Sequence, residues 1–81
     1  MKIKVVYFAR YRELLGRDGE TLDGTFARIE DVRQALLGKG EPYGVLAEQN
    51  LMCARNQDLC KPDEALEDGD EVAFFPPVTG G

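Results

Sequence analysis

The chain has 81 residues, 43% of them hydrophobic and 31% charged, with 15 acidic against 10 basic side chains and a formal net charge of −5. A domain of this length buries only about 60–65% of its unfolded surface, so it admits one compact core and no deep cleft between two lobes. The acidic balance argues against nucleic acid, which needs a basic patch; it fits docking to a basic protein surface, and equally fits simple solubility.

Lys2 to Phe8 (KIKVVYF) is rich in β-branched and aromatic residues and reads as a strand. Period two places Ile3, Val5 and Tyr7 on one face and Lys4, Val6 and Phe8 on the other. ARYRELL then reads as a short helix with Tyr11, Leu14 and Leu15 on its buried side and Gly16 at its end. Arg17–Gly19 reads as a turn, and ETLDG as a weak second strand. RIEDVRQALLGKG carries the clearest helical stripe, Ile29, Val32, Ala35 and Leu36, with Glu30 and Asp31 where the helix dipole favours acids and Gly38 or Gly40 as terminator. EPYGVLAEQN suggests a helical turn around Leu46. LMCARN reads as a strand, QD as a turn, LCK as a very short strand, LEDGD as a tight turn and EVAFF as the last strand. The order predicts an α+β roll, a mixed sheet of about five strands on one main helix, with the two end strands side by side in the middle of the sheet. Residues 1–75 form the expected domain, and 76–81 an extended tail.

Most chemical motifs fail. GKGEP lacks the spacing and the Ser/Thr of a phosphate-binding loop, and EDGD lacks the twelve-residue spacing of a calcium loop. The chain has two cysteines, Cys53 and Cys60, and no histidine, which excludes a four-ligand Cys/His metal site. Their spacing leaves a disulfide open, although small packing residues in a reducing compartment is the plainer reading. The apolar run Val5–Ala9 is too short for a signal peptide or a membrane span, so a cytoplasmic protein without a membrane partner is expected. Adjacent carboxylates such as Glu30/Asp31 and Glu67/Asp68 read as solvated faces. Nothing resembles a self-contained active site, and the chain is expected to be non-catalytic alone.

The end of the chain is different. In DGDEVAFFPPVTGG, Pro76 and Pro77 lack backbone donors, so the sheet ladder cannot continue and the tail follows an extended path. Six residues beyond Phe75 reach about 20 Å at most, enough to enter another protein's pocket. Gly80 and Gly81 have no side chain to obstruct a narrow tunnel. A terminal carboxylate, with a reference pKa of about 3.5, is ionised and a poor electrophile. A partner coupling it to AMP from ATP would make a mixed anhydride, open to attack by sulfide or a persulfide to leave a thiocarboxylate. A frayed terminus that happens to end in glycine is the bland alternative. At the root of the tail, Val72 and Phe74 face the core while Ala73 and Phe75 face out. If the two end strands are neighbours, Phe8 and Phe75 form an exposed apolar patch, a feature that marks interfaces.

These residues carry a resemblance. LEDGDEVAFFPPVTGG, KIKVVYFARYRELLG and IEDVRQALL resemble the terminal signature, the opening strand and helix, and the main helix of the small, sulfur-carrying subunits of molybdopterin synthase. The resemblance spans essentially the whole length; carriers for thiamin synthesis share the Gly-Gly end but usually lack FFPPVTGG. It implies a ubiquitin-like β-grasp fold, and adenylation and thiocarboxylation at Gly81 with Gly80 giving access. It implies no tightly bound cofactor, ATP being used by an activating partner akin to ubiquitin-activating enzymes. It further implies docking on the large synthase subunit in a heterotetramer, and sulfur donation to cyclic pyranopterin monophosphate. The partner-binding residues it implies are Phe8, Leu59 and Phe75 with the tail residues Pro76, Pro77, Val78 and Thr79, and Leu59 rests on the resemblance alone. Arg55 departs from the family, which usually has a small apolar residue before this Asn: on a partner face it would alter docking, and on a solvent face it would change nothing. The alternatives are a ubiquitin-like modifier joined to lysine through Gly81, a thiamin-type sulfur carrier, and a plain binding module with an incidental tail.

Overall fold

The computed structural model describes residues 1–77. Within them the chain runs β1 (Lys2–Tyr7), α1 (Ala9–Leu15), β2 (Gly19–Asp23), α2 (Ile29–Leu37), a 3₁₀ turn (Tyr43–Ala47), β3 (Met52–Arg55), β4 (Asp58–Cys60) and β5 (Glu71–Phe75). The sheet order is β2-β1-β5-β3-β4, so the first and last strands lie side by side and parallel, with Val5 beside Val72 and Tyr7 beside Phe74. The other pairings are antiparallel.

One face of this sheet closes on α2. Ile3, Val5 and Tyr7 from β1, Val72 and Phe74 from β5 and Cys53 from β3 are buried against Ile29, Val32 and Leu36 of α2. Strand alternation and helix periodicity thus deliver both halves of the core. Two expectations are corrected at the helix margins. Leu14 is 54% exposed, because Tyr11 and Leu15 alone turn α1 toward the core. Ala35 is also exposed, since the stripe of a two-turn helix is covered by Ile29, Val32 and Leu36. The second strand begins at Gly19, one residue earlier than the turn reading places it, and the hairpin turn is Asn56–Gln57, with Asp58 already paired. Asn56 and Gln57 both have positive φ, as a two-residue hairpin turn of this hand requires.

Polar groups at the core's rim are closed into networks. The Glu20 carboxylate accepts hydrogen bonds from Tyr7 Oη at 2.7 Å, Tyr43 Oη at 2.8 Å and Lys39 Nζ at 2.9 Å, with Arg17 at 3.1 Å. It therefore ties β2 to β1, to the 3₁₀ turn and to the end of α2. Burial alone would raise its pKa, but these donors outweigh burial and hold it below the usual carboxylate range. Burial, followed by the bond to Glu20, pushes the Tyr7 phenol well above its ordinary value. Asp31 accepts from the backbone N–H groups of Ala27 and Arg28 at 2.9 and 3.0 Å and so caps the entry to α2.

Asp70, in the turn before β5, is the second hub. It accepts from Arg55 Nε at 2.7 Å, Asn56 Nδ2 at 3.0 Å and the Glu67 amide at 2.8 Å. Burial opposes its ionised form, yet these donors, Arg55 foremost, lower its pKa. This resolves the position of Arg55: it points to the core side of β3 and locks the hairpin to the loop before β5.

Candidate functional site

The sheet face turned away from α2 carries no helix among the described residues. It holds an apolar groove of about 530 Å³, lined by Lys4, Val6, Phe8, Ala54, Gln57, Leu59, Glu71, Ala73 and Phe75. Its shape follows from strand alternation. Val6 of β1 stands beside Ala73 of β5, Ala73 opposes Ala54 of β3, and Ala54 opposes Leu59 of β4. Two alanines side by side lower the floor, and larger residues stand around them. Phe8 and Phe75 form one end, their ring centroids 6.3 Å apart in an edge-to-face arrangement, a favoured geometry for aromatic pairs. At the other end Lys4 and Glu71 sit side by side on β1 and β5.

Phe8 is 45% exposed and Leu59 67% exposed. A phenylalanine and a leucine facing water on one open face have no role in the chain's own core, whereas burial on a partner would gain on the order of 2 kcal/mol each. The aromatic end is also where the chain leaves the sheet. The Phe8 amide donates to Phe74 O at 3.1 Å, which anchors the start of α1 beside the end of β5. Pro76 and Pro77 follow directly and are half-buried. Val78, Thr79, Gly80 and Gly81 lie outside the described residues.

The structure therefore brings Phe8, Leu59 and Phe75 into one groove at the root of the Pro-Pro segment. Sequence reading passed over Ala54 and Gln57 and gave Glu71 no role there. Ala54 was within reach, since alternation from the core residue Cys53 puts it on the open face; Gln57 enters through the positive-φ turn and gives no periodic signal. Among the described residues, no group of three His, Cys, Asp or Glu side chains is placed to hold a metal ion. No helix among them is long and apolar enough to cross a membrane.

A five-stranded mixed sheet curled on one main helix, with its end strands parallel at the centre and a bare apolar face at the root of a terminal segment, defines a ubiquitin-like β-grasp protein. The chain belongs to the ThiS family, whose model matches residues 5–81. It is 45% identical to the molybdopterin synthase sulfur carrier subunit of Haemophilus influenzae over 80 residues, covering 98% of this chain and 99% of the relative. The Escherichia coli protein of the same name matches to the same extent. Among solved structures, SAMP1 of Haloferax volcanii, a small archaeal modifier protein, superposes with a TM-score of 0.80 at 28% identity over the whole of both chains.

Proposed function

We propose that this chain is the sulfur carrier subunit of a molybdopterin synthase, a non-catalytic domain whose reactive group is the carboxylate of Gly81. The observation that carries this reading is the full-length 45% identity to two sulfur carrier subunits. A groove whose lining includes Phe8, Leu59 and Phe75 supports it.

In this reading an adenylating partner attacks the α-phosphate of ATP with the Gly81 carboxylate, forming acyl-adenylate and releasing pyrophosphate. Sulfide then displaces AMP and leaves a thiocarboxylate. Glycine suits both steps, because a side chain beside the reacting carbonyl would crowd the in-line approaches. The large synthase subunit receives the charged carrier. The groove supplies docking area, the Phe8–Phe75 pair sits at the root of the tail, and Pro76–Pro77 stiffens the path into the partner's active site.

The test is intact mass spectrometry after incubation with ATP, sulfide and the adenylating enzyme. Replacement of oxygen by sulfur adds about 16 Da, and alkylation of the denatured chain distinguishes it from a single oxidation of like mass, because a thiocarboxylate takes up one alkyl group beyond those on Cys53 and Cys60. An unchanged mass with a competent enzyme overturns the reading. A second reading, a protein modifier, is favoured by the superposition on SAMP1; it predicts ladders of isopeptide-linked conjugates in place of the 16 Da shift.

A further inference from the structure

Cys53 and Cys60 lie on the opposite side of the β3–β4 hairpin from Leu59, and neither contributes to the groove. They are direct partners in the antiparallel register, on the third rung from the Asn56–Gln57 turn, so their side chains leave the same face. Both are free thiols; Cys53 is buried, and Cys60 is partly exposed on the edge strand. The Cys53 Sγ already points across the rung, 3.4 Å from the Cys60 carbonyl oxygen.

Facing residues of an antiparallel pair have Cα atoms about 4.5–5.5 Å apart, inside the range of about 4.4–6.8 Å that disulfides span. The Cys53–Cys60 rung is a hydrogen-bonded one, the wider kind, so its Cβ atoms lie near the upper end of about 4.5–5.5 Å, against about 3.8 Å in a disulfide, and closure pinches the hairpin by about 1.5–2 Å. Edge position makes that movement feasible, because β4 is three residues long and is paired on one side only. A bond closed under such strain is readily reduced again.

We propose that Cys53 and Cys60 form an intramolecular thiol–disulfide exchange site, oxidised reversibly by low-molecular-weight disulfides of the glutathione class. Cys60, the more accessible sulfur, attacks one sulfur of the oxidant; a Cys60–glutathione bond forms, the oxidant's S–S bond breaks, and one glutathione leaves carrying the proton lost by Cys60. Cys53 then attacks the Cys60 sulfur from the facing rung, and the second glutathione leaves with the proton of Cys53. Two protein thiols lose two electrons, and one disulfide becomes two thiols. The inference stands on the hairpin alone and is independent of the chemistry proposed for Gly81.

The experiment treats the purified full chain with excess oxidised glutathione, quenches with acid, denatures, alkylates with N-ethylmaleimide and measures intact mass. The expected product is a monomer lighter by about 2 Da that takes up no maleimide and regains two reactive thiols after reduction. Cys53→Ser is expected to stop at the glutathione adduct on Cys60. Uptake of two maleimides after prolonged exposure, a persistent glutathione adduct on the unaltered chain, or a disulfide-linked dimer would each overturn the proposal.

Discussion

Phe75 stands at a junction between two duties. Its side chain faces the groove and meets Phe8 edge to face, while its backbone pairs with Met52 at the end of the last strand. Trimming Phe75 to alanine removes an aromatic anchor from the end of the groove at the root of the Pro-Pro segment and leaves the ladder intact. We expect Phe75→Ala to weaken binding to the large synthase subunit by about 2 kcal/mol, roughly thirty-fold in Kd. Calorimetry checks this, and an unchanged Kd removes Phe75 from the interface. Leu59 separates binding from folding more cleanly, because most of its side chain is exposed. Leu59→Asp is expected to abolish measurable docking while leaving the melting temperature within about 2 °C, a surface substitution's usual effect. Arg55 is the reverse case: its guanidinium is committed to Asp70, so its replacement should lower stability and spare affinity.

At the scale of elements, what could be read from the chain divides along local and non-local lines. The strands β1 and β5 and the helix α2 announce themselves through periodicities of two and of three to four, and those are the elements that fill the core. That β1 and β5 lie side by side in the middle of the sheet followed from a hydrophobic strand at each end of the chain, whereas their parallel direction comes from the structure. The exposure of Leu14 and Ala35 was illegible, because both sit at helical spacing from core residues and only the breadth of the covering sheet decides which apolar positions stay dry. The Glu20 and Asp70 hubs were equally hidden. Each gathers most of its donors from segments distant in sequence, and no local pattern distinguishes either from the other carboxylates. Phe8 and Phe75 were legible as groove residues because each lies on a strand or just past its end, whereas Gln57 depends on a hairpin turn whose register is set by tertiary pairing. Glycines give this division a test. Gly16 has φ +71° at the end of α1 with open space around it, so alanine there meets conformational strain alone and should cost about 1 kcal/mol. Gly19 has no positive φ, but a Cβ there would stand 2.3 Å from the Val5 carbonyl oxygen, against backbone that cannot yield without breaking the β1–β2 rung. Gly19→Ala should therefore cost more, about 2–3 kcal/mol, lowering Tm by roughly 10 °C or more in a domain of this size. Equal melting temperatures for the two variants would show that the strand edge gives way freely.

The molecule as a whole is held shut at its rim by carboxylates that must stay ionised. Glu20 binds the β1–β2 edge to the 3₁₀ turn and to Lys39 after α2, and Asp70 binds the β3–β4 hairpin to the loop before β5. The two hubs serve opposite halves of the sheet, β1–β2 and β3–β4, so acid loosens both halves at once. Donors that outweigh burial hold both pKa values below their ordinary range. A carboxylate depressed in the folded state binds protons less readily there than in the unfolded chain. Its contribution to stability is complete above the unfolded value, about 4, and is lost as pH falls through the folded value. Urea midpoints should therefore be flat from pH 7 to about 5 and fall progressively below that. Glu20→Gln keeps the side chain's size, removes the charge and places an amide N–H₂ among hydroxyl and ammonium donors. It should cost roughly 2 kcal/mol at neutral pH, the usual loss for hydrogen bonds to a charged group. The same variant should show a shallower acid slope than the unaltered chain, because one of the two titrating hubs is gone. Parallel pH profiles for the two proteins, offset only in height, would mean that Glu20 keeps the same proton affinity folded and unfolded, and that the acid sensitivity of this fold resides elsewhere.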